Sequence, residues 1–100
     1  MTAPDNQLLD AQSLALALAQ LEGWTAHDRR LRKAFKFADF PSAMAFMVEI
    51  GFVAERLQHH PNWANVYNHV DVELWSHDLG GISQLCVELA LAMNRAAKRA

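Results

Sequence analysis

Leucines at positions 14, 18 and 21 recur at i, i+4 and i+7 between Asp10 and Gly23. That rhythm predicts an amphipathic helix over about Ala11 to Glu22, capped by Asp10 and stopped by Gly23. Leu16 lies off the stripe, so burial on two sides of this helix is expected. The period then changes. Trp24 to His27 and Leu31 to Phe37 read as two strands around an Asp28-Arg29 turn, because Leu31, Phe35 and Phe37 alternate with Arg32, Ala34 and Lys36. Such a sheet has one dry face. From Pro41, which suits a first helical turn with Asp39 close to the cap, residues Ala43, Met47, Ile50, Ala54 and Leu57 return to helical spacing as far as Pro61. Gly51 weakens this helix without breaking it. Because Pro61 disfavours helical geometry at His60, His59 and His60 fall where the helix ends.

Trp63 to Asn68 and Val70 to His77 predict a second strand pair, joined tightly at Asn68-His69, with Val70, Val72 and Leu74 facing one way and Asp71, Glu73 and Trp75 the other. Gly80-Gly81 breaks the second strand. Ser83 then caps a last helix, Gln84 to about Ala97, with Leu85, Leu89, Ala92, Met93 and Ala96 on one stripe. Residues 1 to 9 lack periodicity and read as a loose N-terminal arm. The order is therefore α-β-β-α-β-β-α within one domain spanning residues 1–100. It predicts an α+β fold, a four-stranded antiparallel sheet with three helices packed on one face. The uncovered face and the sheet edges favour self-association into at least a homodimer.

Composition narrows the partners. The chain has 100 residues, of which 52% are hydrophobic, enough for a single small core. One cysteine, Cys86, excludes an intrachain disulfide, and no basic, apolar and small-residue succession marks a secretory leader, so a reducing cytoplasm is expected. The apolar tract from Leu14 to Leu21 is too short to span a bilayer. A formal net charge of −2 offers no positive field for a phosphate backbone, which argues against direct nucleic-acid binding. The basic run Arg29-Arg30-Leu31-Arg32-Lys33 reads as a solvated turn and strand face.

The chemistry gathers around three of the five histidines, His59, His60 and His77. Imidazole is the side chain that gives or takes a proton near neutral pH without a large shift. Neighbours at a helix end diverge by about 100°, so His59 and His60 are expected to differ in role. His77 reaches the same region from a strand end. Glu55, a turn before His59, can hydrogen-bond an imidazole and raise its basicity. A three-histidine zinc site is one alternative, though the adjacent pair lacks the i, i+4 spacing of helix-borne ligands and no cysteine pair supports it. A capped helix end with surface histidines is the other. His27 and His69 fall at expected turns. Trp63 and Tyr67 read as strand or core packing, and Met44, Met47 and Met93 as helix packing.

The longer pattern goes further. Glu-x3-His-His-Pro-x-Trp-x-Asn-Val-Tyr-Asn from Glu55, then Val-x-Val-x-Leu-x-Ser-His-Asp-x-Gly-Gly-Ile-Ser from Val70, closely resembles the pterin-4a-carbinolamine dehydratase family. Upstream, Gly23-Trp24, Phe35-Lys36-Phe37-x-Asp39-Phe40 and Ala43-x2-Phe46 extend the resemblance from about residue 21 to residue 93. The family's four-stranded sheet with helices on one side agrees with the order above. The resemblance implies dehydration of 4a-hydroxytetrahydrobiopterin to the quinonoid dihydropterin, without metal or cofactor, as the recycling step after an aromatic amino acid hydroxylase. It also implies a homotetramer. His59, His60 and His77 match the essential histidines and Glu55 the supporting carboxylate. Gln58, Pro61, Trp75, Ser76 and Asp78 fall at positions lining the pterin site.

Two positions depart from the family. Cys86 stands where Asp is usual; a carboxylate there would complete a capping box with Ser83 and steady His77, and a thiol is expected to do neither well. A packed apolar role on the last helix is the plainer reading of Cys86. Trp75 replaces a small residue and is expected to narrow the pocket or to add a stacking surface. Both departures keep open a second function on the same scaffold, a dimerisation partner of a transcription factor or an assembly chaperone.

Overall fold

The computed structural model describes residues 6–100. Its elements run α1 (Ala11–Ala19), β1 (Thr25–His27), β2 (Arg30–Lys36), α2 (Phe40–Leu57), β3 (Asn62–Val66), β4 (His69–Leu74) and α3 (Gln84–Arg99). The expected order and class hold. The four strands form one antiparallel sheet in the order β1-β2-β4-β3. Two hairpins are thus joined through their second strands, leaving β1 and β3 at the edges.

The register explains the dry face. Leu31 lies opposite Leu74, Phe35 opposite Val70, and Val72 opposite Lys33 and Trp63. Leu31, Phe35, Val70, Val72 and Leu74 are buried with Ala43, Phe46, Ile50 and Ala54 of α2 and Leu89, Ala90 and Met93 of α3. Phe46 stands 4.9 Å from both Phe35 and Phe37, ring centre to ring centre. This aromatic cluster fixes α2 on the sheet. Polar groups close one corner: Trp24 Nε1 donates to Asn94 Oδ1 at 2.9 Å and Lys33 Nζ to the same oxygen at 2.8 Å.

Several local expectations change. The β3-β4 connection is Tyr67-Asn68, one residue earlier than the sequence suggests; Tyr67 takes φ 50°, and Asn68, buried, donates from its side chain to the Phe37 carbonyl at 2.8 Å. An asparagine that ties a turn to the neighbouring strand outweighs the alternation that points to Asn68-His69. Tyr67 is consequently exposed, 62%, and not strand packing. Met44 is exposed as well. Leu16 is 65% exposed and α1 has no buried residue, so its second side is not covered among the described residues. The β1-β2 turn falls at Asp28-Arg29 as expected, both at positive φ, which matches strand twist in a two-residue hairpin.

Of the arm expected to be loose, residues 1 to 5 lie outside the described residues, but residues 6 to 9 are tied down. Leu8 bridges Ser83, and Leu9 N–H donates to the Ile82 carbonyl at 3.0 Å. The first turn of α3 carries amides without helical partners; Gln84 N–H finds the Gln7 carbonyl at 3.0 Å and Leu85 N–H finds Asn6 Oδ1 at 3.1 Å. Periodicity does not register such a segment because it serves a helix end instead of forming an element.

Candidate active site

Three chain segments make the site, and each is shaped by a backbone feature. The first is the C-terminus of α2. Asp39 Oδ1 accepts from Ser42 N–H at 2.9 Å to start the helix, and Gln58 ends it in the left-handed region at φ 53°. His59 N–H then donates back to the Ala54 carbonyl at 3.0 Å, the reversal that commonly terminates a helix. The turn sends the adjacent histidines opposite ways. His59 goes inward and is 8% exposed; His60 stays in solvent, where its Nε2 meets Glu55 Oε1 at 2.9 Å.

The second segment follows β4. Ser76 is buried, its N–H donating to the Gly81 carbonyl at 2.8 Å and its Oγ accepting from Leu79 N–H at 3.2 Å, while Gly80 N–H returns to the Ser76 carbonyl at 2.8 Å. This tight turn presents His77 and Asp78, both exposed. The His77 ring lies 4.6 Å from the Trp75 ring, and its Nε2 is 3.4 Å from Asn62 Nδ2, so the amide donates and the ring accepts. The Arg30 guanidinium covers the Trp75 ring at 4.0 Å. Trp75 therefore links a cation on β2 to His77.

The third segment is the first turn of α3. Cys86 is fully buried, and its Sγ lies 3.2 Å from His59 Nε2. Ser83 N–H donates to the same sulfur at 3.5 Å, so the thiol occupies the carboxylate's place in a capping box. One expectation for Cys86 is thereby corrected, since it does close the box; it does not meet His77, as expected, but it packs on α3 and meets His59. The reason is the inward turn at Gln58.

Electrostatics follow burial. Desolvation lowers the His59 pKa from its ordinary 6.5, and the His60 and His77 charges push the same way. The Glu55 carboxyl is held below its ordinary value by the hydrogen bond from His60 and then by that ring's charge. Burial raises the Cys86 thiol, more than the Ser83 contacts lower it, so the sulfur keeps its proton at neutral pH.

Not every expected site residue is free to meet a ligand. Gln58 Nε2 donates to the Glu55 carbonyl at 2.9 Å, capping its own helix, and the Ser76 hydroxyl holds the His77 turn. Pro61 is half-buried at the entry to β3, an edge strand whose first residues tolerate proline. Asn62 and Arg30 are contributors that the sequence reading missed. Asn62 lies inside the His-His-Pro-Asn-Trp run, so its position was visible, whereas Arg30 depends on register across β2 and β4. A depression of 690 Å³ on the open sheet face is lined by Arg32, Asn62, Trp63 and Glu73 among others, and Asn62 is also the partner of His77. Among the described residues, no three His, Cys, Asp or Glu side chains are arranged to hold a metal ion.

The site thus stands on an α+β domain, with His59 and His60 leaving the end of α2 and His77 the turn after β4. The profile of the pterin 4 alpha carbinolamine dehydratase family matches residues 7–96, and the chain belongs to that family. A Rhizobium johnstonii protein is 44% identical over 93 residues, covering 91% of this chain and 92% of its own length. A Sinorhizobium medicae protein is 48% identical over 92 residues, covering 90% and 88%. Both carry pterin-4-alpha-carbinolamine dehydratase as a provisional name. The crystal structure of a Brucella melitensis protein, described as a transcriptional coactivator/pterin dehydratase, superposes with a TM-score of 0.88 at 39% identity over 91% of this chain and 99% of that one.

Proposed function

We propose that this protein is a hydro-lyase that removes water from 4a-hydroxytetrahydrobiopterin to give the quinonoid dihydropterin. The observation that supports it is the arrangement of His59, His60 and His77, borne by a helix end and a strand-end turn, in a member of this family. In the reaction the C4a–O bond breaks, the oxygen takes a proton and leaves as water, N5 gives up its proton, and the N5 lone pair forms the C4a=N5 double bond. One acid and one base suffice, both within the range of imidazole. His60, hydrogen-bonded to Glu55, suits the acid. His77, whose ring nitrogen accepts from Asn62, carries its proton on the other nitrogen. His59, neutral and buried, completes the set. Trp75 and Asp78 border the rim where the pterin ring would lie. Such an enzyme acts downstream of an aromatic amino acid hydroxylase, as a homo-oligomer in the cytoplasm.

Stopped-flow dehydration of freshly generated carbinolamine tests the assignment. His60→Ala and His77→Ala are each expected to lose about 10²- to 10⁴-fold in rate while retaining the wild-type circular dichroism spectrum; unchanged turnover in both sinks it. The description of the Brucella melitensis structure as a coactivator favours a second reading, a dimerisation or assembly partner on this scaffold. On that reading this chain would show no dehydration above the spontaneous rate in the same assay.

A further inference from the structure

We propose that Cys86 is a positioning residue for His59, its thiol holding Nε2 of the imidazole so that Nδ1 is the ring nitrogen left for chemistry. The inference rests on the dehydratase reading and deepens it. Three observations carry it. The Sγ to Nε2 separation is 3.2 Å, inside the range for a sulfur hydrogen bond, and both groups are buried. The sulfur is itself held from behind, by Ser83 N–H at 3.5 Å and Ser83 Oγ at 3.5 Å. The sulfur sits in the first turn of α3, whose amides are satisfied by Gln7 and Asn6, so the holder stands on a fixed element.

The chemical consequence comes from the partner's charge. A carboxylate against Nε2 would stabilise the imidazolium and pin the proton on that nitrogen. A protonated thiol does neither. The other groups acting on His59 are His60 in the same segment, itself paired with Glu55 of α2, and His77 beyond β4, and both histidines disfavour a proton on it. No element supplies a compensating anion among the groups whose influence on this ring is resolved. His59 therefore works as a neutral ring, oriented by sulfur, and stays neutral to lower pH than a carboxylate-paired histidine.

Nitrogen-15 and Cε1–H NMR of the histidines, followed against pH in the full chain, reads this without reference to turnover. Wild type is expected to show His59 titrating below 6.5 with a single tautomer dominant. Cys86→Asp is expected to raise that titration by about one pH unit or more and to move the basic-group limb of the pH–rate profile with it. Cys86→Ala should lose the tautomer bias and lower kcat about 10-fold with KM unchanged, and the near-isosteric Cys86→Ser should recover most of that loss. Identical His59 shifts and titration in wild type, Cys86→Ala and Cys86→Asp overturn the proposal. Should wild type fail to dehydrate the carbinolamine, the functional assignment falls alone, because the NMR comparison still decides the Cys86 contact.

Discussion

Gln58 carries both backbone and chemical constraints. Its φ of 53° lies where Cβ crowds the following carbonyl, a cost of about 1 kcal/mol that glycine avoids. The residue nonetheless has to turn His59 inward and His60 outward. Gln58→Gly is expected to raise stability by at most about 1 kcal/mol, since it also gives up the exposed side-chain bond to the Glu55 carbonyl, read as a higher urea midpoint, with KM unchanged because that side chain is already engaged. A risen KM would instead give Gln58 a contact with substrate. The same logic separates His59 from His60. Adjacent in sequence, they differ in burial and partner, sulfur for one and carboxylate for the other, and neither partner follows from the His-His-Pro motif alone.

At the scale of elements, the site depends on two ends and one turn. α2 brings His59 and His60 to the rim because Phe46, Ile50 and Ala54 lock it on the sheet; the motif sets where the helix stops, and the core sets where that end points. The turn after β4 depends on Ser76. Ser76→Ala removes the hydroxyl that accepts from Leu79 N–H and should cost about 1 kcal/mol, a fall in Tm of about 4–8 °C by calorimetry. The accompanying effect on activity is expected in kcat, through a looser His77, and an unchanged Tm with raised KM would return Ser76 to the substrate. The first turn of α3, which carries Cys86, is completed by Asn6 and Gln7, a partnership that no periodicity announces.

For the whole molecule, stability should depend on pH through His59. Folding disfavours its proton, so below about 6.5 the unfolded chain binds a proton that the folded chain refuses, and stability falls as pH falls through that window. Asp10, Asp39 and Glu55, whose carboxyls are lowered in the fold, add losses of the same sign at more acid pH. Thermal unfolding is expected to give a Tm that is level between about pH 7 and 8 and declines below 6.5, and a Tm that rises on acidification from 6.5 contradicts the buried neutral ring. The molecule also leaves Met44, Val48 and Phe52 exposed along one side of α2, spaced four residues apart, and two open sheet edges. Such a surface is rare on a lasting monomer. Light scattering on a sizing column is expected to show a dimer or tetramer, and a stable monomer at micromolar concentration refutes it. The sequence by itself determined the element order and the apolar faces of β2, β4, α2 and α3, because period, capping residues and proline act locally. Only the tertiary structure decided that Cys86 meets His59, that Asn62 and Trp75 flank His77, and that residues 6 to 9 close α3. Most of those contacts join segments separated in the chain, Asn6 with Leu85 and His59 with Cys86 the widest, and the His59–Cys86 geometry depends on how α2 and α3 pack on one face of the sheet.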